Sequence, residues 1–424
     1  MIKFVDDFLN GITQYRLMLY FLIFLLVIAV VLSSLGILPF NPIALIFSAI
    51  FLVIICWITN KLFAKIFKAP TNFESVYITA LILALIMTPA ITLQDALVLG
   101  GVAALAVASK FILAIRKKHL FNPAAFGVLM AAVVLQSGAS WWVGTSWMAP
   151  FVLTGGLLII RKVRRFSMIS SYFATTLIAI LGFSAFSGNN LLTVIKNLVL
   201  DSPALFFAFV MLTEPQTTPP GKIWQMVYGG LVGSLFRLTP ETALLVGNIF
   251  SYIVSPKEKL LLQLKDKIRI APDIYDFVFH LDKKLIFLPG QFMEWTLGHK
   301  NPDTRGTRRY FTIAASPTEG NLRIGVKFLG AAASSAYPNG SSFKKALANL
   351  NPGDSVVASQ LSGEFTLPKD LSKKLVFIAG GIGVTPFRSI IKNMIDKNEK
   401  RDIVLFYSVK NLADVVYMDI FKEA

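Results

Sequence analysis

The sequence predicts a polytopic α-helical membrane domain followed by an antiparallel β-barrel and a partial α/β lobe. Three observations predict it. Residues 1–255 are almost continuously apolar, in stretches long enough to cross a bilayer. Residues 260–300 alternate with a period of two (LLQLKDKIRI, DFVFHLDKK, FMEWTL), broken by the turn Pro289-Gly290-Gln291. Over residues 375–391 an apolar run, LVFIA, leads through a glycine-rich turn into an amphipathic helix. The composition agrees: 55% of residues are hydrophobic and mean hydropathy is +0.64, yet charge rises steeply after Ser255. The expected domains are therefore 1–255, 256–370 and 371–424.

The first apolar stretch, residues 17–35, is too long for a cleavable leader and more follow it, so it reads as a first transmembrane helix. Further candidates fall at 41–59, 76–90, 94–114, 121–139, 147–160, 169–186, 198–213, 221–237 and 241–254, about ten spans in all. Lys61, Lys65 and Lys68 follow the second span; Arg116, Lys117 and Lys118 the fourth; Arg161, Lys162, Arg164 and Arg165 the sixth. Lys196 is the main exception to this alternation, which places the basic loops and both termini in the cytoplasm of a multi-pass protein of the cytoplasmic (inner) cell membrane. It also accounts for much of the net charge of +17 without nucleic acid. A basic face for an acidic electron carrier is the alternative.

Several chemistries are excluded for the chain on its own. One cysteine, Cys56, supports neither a disulfide framework nor an iron–sulfur cluster, which takes four thiolates. A haem held between paired imidazoles is excluded because only His119 lies near a span, and no metal site is expected. Asp95, Asp201, Glu214 and Glu241 fall near span ends, so no ion path is legible.

Asn122-Pro123 and Thr213-Glu214-Pro215 put polar side chains and a broken helical ladder at span ends. They suit a cofactor-lined or water-filled cavity, and equally helix caps and turns. The stretches that contain them, KHLFNPAAFG and FFAFVMLTEPQTTPPGKIWQMVYGG, together with NFESVYITALILALIMTPA and GGLLIIRKVRRFSM, resemble the D subunit of Rnf electron-transport complexes and the B subunit of sodium-translocating NADH:quinone reductases. That resemblance covers most of residues 70–250 and implies a membrane cofactor site at Asn122, Thr213 and Glu214. Those subunits esterify FMN to a Thr that closes a Ser/Thr-Gly-Ala-Thr motif. Here Ser137-Gly138-Ala139 is followed by Ser140, which leaves a membrane-domain flavin open.

In the soluble part, RRYFTIAASP (308–317), a strand pair in NLRIGVKFL, a Ser/Gly-rich loop, GDSVVASQLSGEFTLP and LVFIAGGIGVTPFRS follow in order. This series resembles the ferredoxin-NADP reductase superfamily over about residues 260–424. The resemblance implies an FAD-binding barrel, with FMN as the alternative, and an NAD(P)H-binding lobe. Its Arg-x-Tyr-Ser/Thr element falls on Arg309, Tyr310, Phe311 and Thr312. Arg309 then pairs with flavin phosphate, Phe311 stands where many members have Tyr, and Thr312, the expected catalytic residue, points its hydroxyl at the flavin N5 edge. Gly340, Ser341 and Ser342 open SSFKKAL, a helix whose amides receive the pyrophosphate. Gly380, Gly381 and Gly383 let the backbone approach the dinucleotide, and Thr385, next to Pro386, caps the following helix and touches the nicotinamide.

Residues 371–424 hold about half of what such a lobe needs, and the family's later Cys/Ser-Gly-Pro element is absent, so the lobe is expected to be incomplete, either because the gene product is C-terminally truncated or because the lobe is completed elsewhere. The expected function is a membrane-bound flavoprotein that passes electrons from NAD(P)H to a membrane flavin, a quinone, a ferredoxin-like carrier or other complex subunits. The competing expectation is a transport or electron-transport complex subunit with a degenerate, non-catalytic reductase module.

Overall fold

The computed structural model describes residues 2–67, 73–115, 118–186, 190–255, 260–281, 285–300, 302–303, 307–328 and 341–424. Gly340 and the loop residues Lys68, Arg116 and Lys117 lie outside them. The chain forms two units, Met1–Lys257 and Glu258–Ala424.

The first unit is helical: α1 (Ile2–Gly11), α2 (Gln14–Ser34), α3 (Pro42–Ile66), α4 (Phe73–Ile86), α5 (Leu93–Ile112), α6 (Pro123–Val134), α7 (Ala149–Val163), α8 (Phe166–Phe186), α9 (Leu191–Leu200), α10 (Ala204–Phe206), α11 (Lys222–Leu235) and α12 (Pro240–Val254). Local chemistry starts several of them. Thr13, Asn41 and Asn122 cap α2, α3 and α6 through their side-chain oxygens, and Thr92 and Asp95 form a reciprocal capping box on α5.

Among the described residues, four helices are long and apolar enough to cross a membrane: Gln14–Ser34, Pro42–Ile66, Leu93–Ile112 and Phe166–Ala185. A fifth arises if Leu191–Leu200 and Ala204–Met211, bent by 54° at Pro203, count as one broken span. This replaces the expected ten. The other apolar segments do fold as helices, but α4 has 14 residues and α6 has 12. At about 1.5 Å per residue these reach roughly 20 Å, against about 30 Å of hydrocarbon. Hydropathy registers that a segment avoids water, and not whether it is lined by lipid or by protein. Residues 79–86 on α4 are all buried within the unit.

The second unit opens with a six-stranded antiparallel sheet: β1 (Leu260–Ala271), β2 (Ile274–His280), β3 (Phe292–Thr296), β4 (Arg308–Thr312), β5 (Asn321–Lys327) and β6 (Ser355–Ser362), in the order β4-β3-β6-β1-β2-β5. The Ala314 amide donates to the Arg323 carbonyl at 2.7 Å, which brings the two edges together. Trp295, Phe277, Phe279 and Phe343 are fully buried at the centre of its core. NLRIGVKFL, expected as a strand pair, forms the single strand β5. Its Gly325 sits opposite Asp276 of β2 and no turn residue reverses the chain.

The α/β lobe follows. Strand β7 (Leu375–Gly380) pairs in parallel with β8 (Ile403–Ser408), from Leu375 opposite Ile403 to Gly380 opposite Ser408. Between them run a 3₁₀ turn, Gly381–Val384, and α14 (Thr385–Asp396). The seven-residue α13 (Ser342–Ala348) precedes β6, and α15 (Met418–Glu423) follows β8.

Candidate functional site

The flavin half of the site is built on β3 and β4. Their register sets Glu294 opposite Tyr310 and Trp295 opposite Arg309. Strand alternation sends Arg309 and Phe311 to one face and Arg308, Tyr310 and Thr312 to the other. Arg309 Nη2 donates to Ser341 Oγ at 2.9 Å and to Asp303 Oδ1 at 3.2 Å, and its guanidinium lies 5.3 Å from the centre of the Phe343 ring. The Ser342 amide donates to Asp303 Oδ2 at 2.9 Å, while Ser342 Oγ accepts from the Asp303 amide at 2.8 Å and pairs with His299 Nε2 at 2.9 Å.

Arg309, Ser341 and Ser342 are thus gathered as expected, with Asp303 and His299 added. The donor set fits a phosphate: a guanidinium and a backbone amide here already hold an anion, the Asp303 carboxylate. Gly340, expected in the same cradle, lies outside the described residues.

Behind the other face, Glu294 is 1% exposed; it accepts from Tyr310 Oη at 2.9 Å and pairs with Arg308 Nη1 at 3.3 Å. Tyr310 is 47% exposed, whereas Phe311 packs on Phe343 at 5.9 Å between ring centres. The more open aromatic face is therefore that of Tyr310 rather than Phe311. Gln360, in a left-handed conformation (φ +53°), lies beside Tyr310, and its buried Nε2 has no partner among the described residues. A strained residue with an idle donor suits a ring carbonyl of a bound flavin.

The nicotinamide half is the turn between β7 and α14. A Cβ added at Gly380, Gly381 or Gly383 would meet nothing within 4 Å, and Gly381 has φ +51°, so open space lies beside each for a dinucleotide. Thr385 departs from expectation. It does not cap α14; its hydroxyl turns back to the Ile382 carbonyl at 3.2 Å and the side chain is buried. Gly325 makes room for it, since a Cβ there would lie 2.8 Å from Thr385 Cγ2 and 2.5 Å from Tyr417 Oη. Pro386 is the second residue of α14, in the first turn, where its missing N–H costs nothing.

Charged groups join the two halves. Arg388 of α14 pairs with Glu319 at 2.7 and 2.9 Å, and Tyr417 Oη donates to the fully buried Asp276 at 2.5 Å, whose other oxygen accepts from Arg323 at 2.9 Å. Burial acts to raise Glu319, but the hydrogen bonds and charge of Arg388 outweigh it and hold this carboxyl below its ordinary range. Burial pushes the Asp276 carboxyl up, against the lowering effect of Tyr417 and Arg323.

In the helical unit, Asn122, Thr213 and Glu214 line one cavity together with Ser75, Thr79 and Lys162. Leu17, Ile78, Ile82 and Val210 are among the apolar residues that also line it. Lys110 Nζ reaches the Thr79 hydroxyl at 2.9 Å and both Ser75 oxygens at 3.1 Å, and His119 Nε2 lies 3.4 Å from Glu214. A π-helical turn, Phe207–Met211, precedes Thr213. Asn122 does cap α6, its Oδ1 accepting from the Ala125 amide, whereas Thr213 caps no helix and its Oγ1 donates back to the Phe209 carbonyl. Ser140 donates to the Ile86 carbonyl at 3.1 Å.

Sequence reasoning missed Asp303, His299, Glu294, Gln360, Arg388 and Glu319. Glu294 had a signal, a lone carboxylate inside an apolar strand. A left-handed Gln and an ion pair across 69 residues leave none.

Comparison with known proteins places this geometry. Residues 261–366 match the oxidoreductase FAD-binding domain and residues 377–424 the oxidoreductase NAD-binding domain. The chain is similar to the phenol hydroxylase P5 protein of Acinetobacter pittii (strain PHEA-2), 25% identical over 42% of this chain and 46% of that one. It is similar to flavohemoprotein A of Dictyostelium discoideum (30%; 34% and 38% covered) and to NADH-cytochrome b5 reductase 1 of Mortierella alpina (29%; 34% and 48% covered). The chain thus spans less than half the length of each of these relatives. The C-terminal part thus matches an oxidoreductase FAD-binding domain followed by an oxidoreductase NAD-binding domain. Its cofactors are FAD and NAD(P)H.

Proposed function

We infer that the chain is a membrane-bound flavoprotein oxidoreductase that passes electrons from NAD(P)H through FAD to an acceptor in or at the membrane. The observation that carries the reading is the presence in one unit of a cradle already holding an anion, Arg309 with Ser341 and Ser342, and a glycine turn with open space beside it. Arg309 and the Ser342 amide would hold the flavin phosphate, Tyr310 would offer its ring, Gln360 Nε2 would donate to a ring carbonyl, and Thr312 is the residue proposed for the edge that receives hydride. The turn at residues 380–386 holds the dinucleotide. When bound, the flavin supplies the exchange between two-electron and one-electron chemistry.

The long apolar helices support a multi-pass place in a membrane, and the basic loops of the sequence are the ground for proposing the cytoplasmic membrane with both termini cytoplasmic. The cavity at Asn122, Thr213 and Glu214 is where a membrane acceptor, a second flavin or a quinone, is received. Similarity of the helical part to Rnf D and NADH:quinone reductase B subunits belongs to this proposal, as do a ferredoxin-like carrier and further complex subunits as partners. The name NADH-cytochrome b5 reductase describes delivery from NADH to a separate acceptor, and the same arrangement is carried to this chain.

The test is a visible spectrum of the detergent-purified protein before and after NADH or NADPH. A flavin band that bleaches supports the reading. A colourless preparation would instead support a complex subunit with a non-catalytic module. A reporter fused after Lys257 should report from the cytoplasm, and an external signal would overturn the orientation.

A further inference from the structure

Thr312 ends β4 and the glycine turn opens α14, so some seventy residues of chain separate the two halves of the site and no short covalent link sets the gap. Noncovalent contacts set it, and they converge on the first turn of α14. The Arg388 side chain is 4% exposed. Its Nη1 donates to the Ala314 carbonyl and to Glu319 Oε2, both at 2.7 Å, and its Nη2 to Glu319 Oε1 at 2.9 Å. Ser389, the next residue, donates to the Ala315 carbonyl at 2.6 Å. Ala314 and Ala315 lie just beyond Thr312. Glu319 is itself oriented by the Ser316 amide at 2.6 Å. The Arg388 guanidinium also lies 5.4 Å from the centre of the Tyr417 ring, whose hydroxyl reaches Asp276 and, through it, Arg323.

Stability alone does not account for this arrangement. Desolvation offsets most of the attraction in a buried ion pair, and replacing both partners by apolar residues is often neutral. Direction is what the pair adds. A planar fork holding three acceptors admits one placement of α14 against the 314–319 loop, whereas apolar contact admits sliding. Hydride transfer is sensitive to placement: reacting atoms must approach to about 3–3.5 Å, and a 1 Å error costs roughly 100-fold in rate.

We propose that Arg388, held by Glu319 and the Ala314 carbonyl, is a positioning residue that fixes the nicotinamide-binding turn against the flavin-binding end of β4 and so sets the rate of hydride transfer. This rests on the reduction of flavin by NAD(P)H inferred above.

The test uses the full chain in detergent and two variants. Arg388→Met with Glu319→Met leaves neither charge stranded. Arg388→Lys keeps the charge but not the fork. Flavin content and the unfolding midpoint are measured first, then flavin reduction by saturating NADH and NADPH in stopped flow. Next comes the long-wavelength charge-transfer band when NAD⁺ is added to reduced protein, and last, amide exchange over residues 385–390 in flavin-free protein. The double variant should keep near-native flavin content and midpoint, yet reduce flavin at least tenfold more slowly, with a weaker charge-transfer band and faster exchange. The Lys variant should fall between.

A native reduction rate in the double variant, or a rate loss that only tracks lost flavin, overturns the proposal. So does failure of both variants to fold, which makes Arg388 structural. A native protein that neither NADH nor NADPH reduces would sink the function above instead, and the rate-setting role with it. Unchanged exchange in the flavin-free variants separately removes the tether.

Discussion

Polar side chains are buried in both units, but to different ends. In the soluble unit they close on one another: Arg388 on Glu319, Tyr417 and Arg323 on Asp276, Arg308 and Tyr310 on Glu294. In the helical unit several bond to neighbours and also line open space, with Asn122, Thr213, Glu214, Ser75, Thr79 and Lys162, some of them only half-buried, around one cavity. The difference teaches what each arrangement supplies. A closed network holds two elements in one relation, whereas a polar-lined cavity receives something from outside. The helical unit is packed through an extensive apolar core and, at some crossings, by close helix approach at small residues, as at Gly229 of α11, where a Cβ would overlap the Met168 carbonyl oxygen of α8.

The comparison breaks first at that crossing. Gly229→Leu should cost about 3 kcal/mol or more, because backbone cannot retreat as a side chain can. It should remove the monodisperse peak in detergent chromatography, and a native elution profile and melting curve would show that helix approach is not what holds this unit.

Next in size is the anion seat. Arg309→Ala removes a charge-assisted contact of roughly 1.5–3 kcal/mol and should weaken FAD binding at least tenfold in a titration of flavin fluorescence. Asp303→Asn, which empties the seat of its resident carboxylate, should instead tighten binding; equal affinities in both variants would remove this cluster from the flavin site.

Glu214→Gln separates the units. Bleaching by NADH should stay within about twofold of native, while reoxidation by a short-chain quinone slows on the order of tenfold, the worth of one charged hydrogen bond. Parallel loss of both rates would mean that the cavity and the reductase are not distinct sites.

The smallest effect is on acid stability. Arg388 holds the Glu319 carboxyl below its unfolded value, which is about 4.3. The stabilisation is present above that pH and is lost as pH falls through the lower folded-state value. Glu319→Gln should flatten this part of the acid unfolding curve, followed by flavin release. An unchanged acid limb would assign the slope to other carboxylates.

The fold was legible wherever a signal was local. Alternation marked β1 to β3, LVFIA marked β7, and RRYFT and GGIGVTP marked the two candidate half-sites, because strand period and turn chemistry depend on neighbours in sequence. Span number was not legible, since α4 and α6 are as apolar as the longer helices yet too short to cross. Asn122, Thr213 and Glu214 were legible as unusual residues, but not as neighbours of Ser75 and Lys162 around one cavity.

By itself the sequence determined the order of parts, the alternation of the barrel strands, and the two segments, 308–312 and 380–386, that it singles out as candidate half-sites. Only the tertiary structure decided that Asp303 sits in the anion seat, that Thr385 turns away from the cap, and that Arg388 ties α14 to the strand end beyond Thr312. The physical reason is range. Propensity and periodicity act over a few residues, while an ion pair such as Arg388 with Glu319 joins groups that neither local rule relates, and it forms only once packing has excluded water from between them.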